Sequence, residues 1–441
     1  MSTKTTQKIG FREATALGVG GIIGAGIFVL SGTASGIAGP AVVVSFGIAF
    51  VASLILSLCY AELSSMHDDS GGPYAYAKRH LPPFVATVVG WANWGAWMCA
   101  SSYVGIGVGS YLHLLVPSLS QPVASTLVIA VFTGLNLLGI RFSGKVQFVA
   151  LVLTVLVLLG FIALGATHVD TALYTPFMPH GMSGVLQAAL IGFLALTGWD
   201  AIVVSAEEIT EPRRTIPLSI LTSLGISFIL YAGLLLIENG IIRWDRLGAS
   251  ETPVVDVSRV FFGTHGPFVV NCIVLIALLA AVNANLIVIS RSSMVLARDR
   301  LAPRFLESTA TSRQVPVIAI VCAGIAQVVM STAGNLRFAV SATGFLYTLT
   351  FITSIVALFI ARRRGLTASF KTPLYPVVPA LALLLCFVFI TSAGTLGILT
   401  GIGWILLGLL VARWTKRSKG DAVPGPEAVR DDEVPAERGS V

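Results

Sequence analysis

Charged side chains are scarce in this chain. They make up 11% of its 441 residues, against roughly 25% in a soluble domain. Mean hydropathy is +0.87, and 55% of the residues are hydrophobic. Such a balance excludes a soluble globular protein. Histidine is rare and badly placed for catalysis. His67, His80, His113, His168, His180 and His265 all fall in loops or at the ends of apolar segments. This argues against an intramembrane enzyme that needs a buried imidazole base or metal ligand. Cys59, Cys99, Cys272, Cys322 and Cys386 lie inside apolar segments without metal-ligand spacing, and they read as small hydrophobes. No metal or cofactor is expected. A cleavable signal peptide is not expected either, because residues 1–12 are polar and basic and the apolar run that follows is too long.

What the chain does have is apolar length. A spanning helix needs about 20 apolar residues. Twelve candidate segments lie near 14–37, 39–61, 84–115, 122–140, 146–167, 184–206, 217–239, 266–297, 315–334, 338–361, 374–394 and 396–414. They predict an all-α integral membrane protein, with a lead over 1–12, a membrane domain over 13–416 and a charged, Pro/Gly-containing tail over 417–441 that is expected to be disordered. The net charge is +7. If the N-terminus is cytoplasmic, every Lys and Arg falls inside except Arg243, Arg246, Arg259 and Arg337. That bias predicts a multi-pass protein of the cell membrane with both termini cytoplasmic. Basic residues lining a membrane face are a poor sign of nucleic-acid binding.

The first apolar segment contains Gly18-Val-Gly-Gly-Ile-Ile-Gly-Ala-Gly-Ile-Phe28. Each Gly costs about 1 kcal/mol in a helix interior relative to Ala. Close helix packing through small residues is one reading. The other is a deliberate helix break whose bare N–H groups receive an anion. The sixth segment favours the second reading. It carries Thr197-Gly198, a weak helix point, followed at once by Trp199-Asp200. The first segment runs inside to outside and the sixth outside to inside, so the five-helix unit that the sixth opens is inverted relative to the first. Inverted repeats place a site at mid-membrane between the two breaks. A broken helix offers an end that attracts an anion and an end that attracts a cation, which together suit a zwitterion. Asp200 is the one acid read as lying well inside a span. Burying it costs about 2.5–3.5 kcal/mol on insertion scales, so a pathway or proton role is weighed against a structural hydrogen bond.

Other stretches carry less chemistry. An uncharged outer turn is expected over Ser31–Pro40, and a short interfacial helix after Gly71-Gly-Pro73. Trp91, Trp94 and Trp97 read as an aromatic belt plus packing. Thr154, the one polar core residue of the fifth segment, is expected to bond its own backbone. Asn283 and Asn285 either bond a neighbouring helix, worth about 0.6–2 kcal/mol, or, for Asn285, line a substrate path. Ser341, Thr343, Tyr347 and Thr350 predict a partly wet face. The last two segments are free for packing or homodimer contacts.

Together, Gly21-Ile-Ile-Gly-Ala-Gly-Ile-Phe28, Gly71-Gly-Pro-Tyr-Ala-Tyr76, Gly198-Trp-Asp200 with Glu207–Pro217, and Leu296–Pro303 resemble the amino acid–polyamine–organocation (APC) family of secondary transporters, over residues of about 8 to 415. The resemblance implies a five-plus-five inverted repeat of the LeuT-like kind, with repeat one near 13–168, repeat two near 184–361 and two extra helices near 374–414. It implies that Gly24, Ala25 and Gly26 offer N–H groups to a substrate carboxylate. Carbonyls near Leu196 and Thr197, with that of Ile22, would take the ammonium. Ala100, Trp199 and Asn285 would line the side-chain pocket. Asp200 falls where arginine–agmatine exchangers carry an acid near the inner gate. Some proton-coupled members carry a Lys where this chain has Thr154, which excludes a Lys-borne proton. The hydroxyls of sodium-driven relatives correspond to Ala280 and Ala281. An ion-free exchanger and a carrier whose proton rides on Asp200 therefore both stay open. The expected function is alternating-access transport of amino acids, with neutral substrates ahead of cationic amino acids or polyamines and a membrane-embedded enzyme far behind.

Overall fold

The computed structural model describes residues 9–66, 72–138, 144–204, 209–263, 265–308 and 316–417. Among these the chain is helical, and the one extended pairing is a backbone bridge between Ile9 and Ile209. In order the helices are α1 (Phe11–Ile22), α2 (Ala25–Ala38), α3 (Val42–Ser65), α4 (Pro73–His80), α5 (Pro83–Leu115) and α6 (Gln121–Leu137). They continue as α7 (Gly144–Gly165), α8 (Gly181–Ala195), α9 (Asp200–Val204), α10 (Pro212–Ile241), α11 (Trp244–Ala249) and α12 (Pro253–Ser258). The last are α13 (Gly266–Arg298), α14 (Val317–Ala333), α15 (Leu336–Arg363), α16 (Val377–Ser392) and α17 (Gly394–Arg417).

Among the described residues seven helical runs are long and apolar enough to cross a bilayer. Helices α6, α14 and α16 are apolar but shorter, at 17, 17 and 16 residues. The twelve expected segments therefore do not map one to one onto these runs. The first and second run together, because α2 continues to Ala38 and only Gly39–Ala41 turns. The outer turn expected over Ser31–Pro40 shrinks to that short 3₁₀ turn. Helix α1 starts at Phe11, inside the expected lead. The Gly10 N–H donates to Glu13 Oε2 at 3.1 Å. Residues 1–8 and the tail beyond Arg417 lie outside the described residues.

Exposure is inverted relative to a soluble protein. Leu153, Leu156 and Leu159 on α7 and Leu399, Leu406 and Leu410 on α17 face outward, while Ser45, Ser53 and Ser57 on α3 are buried. Hydrocarbon as solvent selects this pattern, since polar groups must then be satisfied internally. Helix α5 packs against α6, α13, α14 and α15, while α10 packs against α1 and α3.

The end rich in Arg and Lys is clipped together by polar pairs. Glu62, 1% exposed, accepts from Arg362 Nε at 2.6 Å and Nη2 at 2.8 Å, and from the Thr372 N–H at 2.8 Å. Gly72-Pro73 starts α4 as expected, with Pro in its first turn, where its missing N–H costs nothing. Lys78 Nζ donates to both Asp299 oxygens at 2.7 and 2.8 Å, and the Tyr74 hydroxyl donates to Asp299 as well. Burial, and then the Asp299 carboxylate, pushes the Tyr74 phenol well above its ordinary range, so it stays a donor. The packing expected of the Trp residues is present. Trp91, Trp94 and Trp404 cluster at 5.1–5.7 Å. Trp91 Nε1 donates to Leu301 O, and Trp404 Nε1 donates to Trp91 O.

Candidate functional site

The Gly-rich stretch breaks at Ile23–Gly24. Ile23 N–H still reaches Val19 O at 2.7 Å, but Gly24 N–H turns back to Ile22 O at 2.8 Å. Helix α2 then starts anew at Ala25, and the N–H groups of its first turn have no ladder partner. The second break spans Leu196–Trp199. Leu196 N–H closes on Gly192 O, and the Thr197 N–H and hydroxyl both close on Leu194 O. Gly198 has φ +119, a conformation open to glycine. The chain re-enters helix at Asp200. Among the described residues no backbone N–H outside the helices bonds the carbonyls of Leu196 or Thr197.

The two breaks lie against each other. A Cβ on Gly21 would sit 2.5 Å from Gly198 O, and one on Gly198 would collide with Gly21 O. A Cβ on Gly26 would meet Ala195 Cα at 2.9 Å. The arrangement thus sets the opening turn of α2 beside the closing turn of α8. One puts bare N–H groups at the junction and the other bare carbonyls.

The remaining candidates are placed as follows. The Ile22 carbonyl accepts from Tyr231 Oη at 2.8 Å as well as from Gly24, so both its acceptor positions are filled. Trp199 is fully buried, ringed by Tyr60 at 5.5 Å and Phe351 at 5.8 Å. Ala100 and Asn285 are buried, and Asn285 Nδ2 has no partner among the described residues. Helices α2, α5 and α13 meet where a Cβ on Gly107 would touch Val29 and Leu278. Two turns back along α5 lies Ala100, and two turns on along α13 lies Asn285, on the same faces. Both steps lead toward the level of the first break. Asn283 Oδ1 accepts from Asn136 Nδ2 at 2.8 Å, a helix-to-helix bond. Thr154 donates to Ala150 O at 2.8 Å. Asp200 Oδ2 accepts from Tyr347 Oη at 2.8 Å, which ties α9 to α15. Tyr347 stacks edge-on against Trp97 at 6.3 Å.

The profile of a family described as amino acid permease matches residues 9–414. The chain belongs to the amino acid permease family. It is similar to the branched-chain amino acid permease of Bacillus subtilis, at 30% identity over 92% of each chain. The methylthioribose transporter of the same organism is 29% identical, over 90% of this chain and 91% of its own. Cationic amino acid transporter 3 of Arabidopsis thaliana, mitochondrial, is 29% identical over 73% of this chain and 56% of its own. As a permease the chain is an amino acid transport protein of the membrane.

Three features of this permease escape the sequence reading. Asp200 is not the sole acid shut inside: Glu62 and Glu238 are 1% and 0% exposed. Glu62 falls one residue beyond the predicted end of its segment, and Glu238 stands at the end of another. Tyr231 seals the Ile22 carbonyl from 209 positions away. A Tyr in an apolar run is the only signal it leaves.

Proposed function

We propose that this permease carries amino acids by alternating access through twelve spans arranged as two inverted five-helix repeats, with both termini cytoplasmic in the cell membrane. One observation carries the reading: the backbone-to-backbone contact at Gly21 and Gly198, which joins an N–H-rich helix start to a carbonyl-rich helix end. The substrate carboxylate binds the first turn of α2 at Ala25 and Gly26. Its ammonium binds the carbonyls of Leu196 and Thr197, and that of Ile22 once the Tyr231 hydroxyl has moved. Gly24 acts through the break itself, since its N–H is held by Ile22. Ala100 and Asn285 face the substrate side chain, and Trp199 closes the second break. Neutral, branched apolar amino acids are the favoured substrates, because Ala100 and Trp199 offer an apolar surface with no counter-charge and a branched-chain permease is among the relatives. Cationic amino acids are the rival reading, through Asp200 and the relatives that carry them. Methylthioribose belongs in the same assay. In proteoliposomes, unlabelled leucine, isoleucine and valine are expected to compete with labelled leucine. Competition by arginine or methylthioribose alone would overturn the preference.

Asp200, bonded to Tyr347, is the proposed carrier of a coupling proton. Asp200→Asn is expected to abolish uptake driven by a pH gradient while leaving exchange intact. Unchanged gradient-driven uptake in that variant removes Asp200 from coupling.

A further inference from the structure

Glu238 on α10 is a buried acid that the substrate site does not use. It is 0% exposed, and its neighbour Asn239 is 1% exposed. Both face α2. Ser31 Oγ donates to Glu238 Oε1 at 3.2 Å, and Asn239 Nδ2 donates to Ser35 Oγ at 2.9 Å. Their other oxygens, Glu238 Oε2 and Asn239 Oδ1, are buried without a partner among the described residues. Both atoms are acceptors, so what the site lacks is a hydrogen or a positive charge.

No Lys, Arg or His among the described residues pairs with Glu238. Of the elements packed on α10 near this end, α2 and Gly39–Ala41 carry no titratable side chain. The 3₁₀ turns Ala166–His168 and Thr171–Tyr174 bring His168 and Tyr174, α11 brings Asp245 and Arg246, and α12 brings Asp256. Tyr174 donates to Leu236 O, and Asp256 accepts from Ser250 and pairs with Arg259. Tyr111 of α5 lies nearby as a neutral phenol whose hydroxyl donates to Phe28 O. The titratable groups of α1, α3, α7 and α9 belong to their opposite ends. An ionised carboxylate sealed in with one hydroxyl donor is far more costly than a neutral carboxyl.

We propose that Glu238 is a proton-binding site: protonated, it holds α2 against α10, and ionised, it draws in water and loosens that contact. The proton leaves the carboxyl for water, and a cavity of about 580 Å³ lined by Ile241, Ile242, Arg246 and Ser250 begins three residues further along. The proposal rests on the transport reading above, because the other end of α2 is the proposed carboxylate seat. Glu238 is therefore a positioning residue that sets the substrate end of α2 through Ser31.

Leucine counterflow in liposomes, measured across a pH series without a gradient, tests this. The wild-type KM is expected to rise with pH by up to about tenfold per unit, the limit for one proton, at constant maximal rate. Glu238→Gln keeps hydrogens on the group and is expected to hold the low KM throughout. Ser31→Ala removes the donor to the ionised form and is expected to move the rise to higher pH. If Glu238→Gln does not fold, an unmoved Ser31→Ala profile overturns the proposal. Wild-type slope in Glu238→Gln overturns it as well. So does a KM that follows sodium against choline at fixed pH, which marks a metal cation instead of a proton. Infrared spectra of the purified protein provide a readout free of transport. A protonated-carboxyl stretch at neutral pH is expected to disappear in Glu238→Gln, and identical spectra contradict the site. Absence of exchange for every amino acid defeats the transport reading and leaves the infrared result to decide on Glu238.

Discussion

Gly198→Ala is expected to lower the counterflow rate by at least about 100-fold. Two independent faults combine there. At φ +119 an L side chain is strained, at a cost of about 1–3 kcal/mol. The new Cβ would also meet the carbonyl of Gly21. The obstacle is backbone at a junction of four helix ends, so no side chain can rotate away to make room. The two breaks must separate, and a 1 Å misplacement of binding groups is enough for about 100-fold. Gly225→Ala is the control, because nothing lies within 4 Å of a Cβ there. It is expected to transport like wild type and to melt no lower, since Ala replaces Gly inside a helix. Wild-type exchange in Gly198→Ala would show that the contact between the breaks does not matter to transport.

Arg362→Ala is expected to cost about 3 kcal/mol of stability, read as a lower melting temperature in detergent. The substitution strands Glu62, 1% exposed, with the Thr372 N–H as its remaining donor. Removing one partner of a buried pair costs about 3–5 kcal/mol. The low end applies because the Arg362 side chain keeps 22% of its surface in solvent. Replacing both members by Glu62→Gln with Arg362→Met removes the stranded charge, and this double variant is expected to melt above the single one. A single variant as stable as wild type would mean that Glu62 is not truly desolvated.

What could be read from the sequence follows the range of the interactions. The breaks were legible because their causes are local: clustered Gly in the first segment and Thr197-Gly198 in the sixth act against helix at their own positions. Helix α4 was legible for the same reason, through Gly72-Pro73. The outer turn was misjudged because Gly in Ser31–Ala38 is held helical by packing on α8 and α11, a tertiary effect. The packing of Trp91 and Trp94 was legible, but their partner was not, because Trp404 lies some three hundred residues away. The Ser31 that faces Glu238 is 207 positions distant, and Arg362 is 300 from Glu62. Composition marks such acids as apolar-segment boundaries and has no means to show which helix closes over them.

The account holds that peptide groups at two facing helix breaks grip both charges of a zwitterion. Counterflow of labelled leucine against unlabelled leucine, leucinamide and 4-methylpentanoate tests it most directly. Leucinamide lacks the carboxylate, and 4-methylpentanoate lacks the ammonium. Leucine alone is expected to drive exchange. Exchange with leucinamide as fast as with leucine would contradict the account.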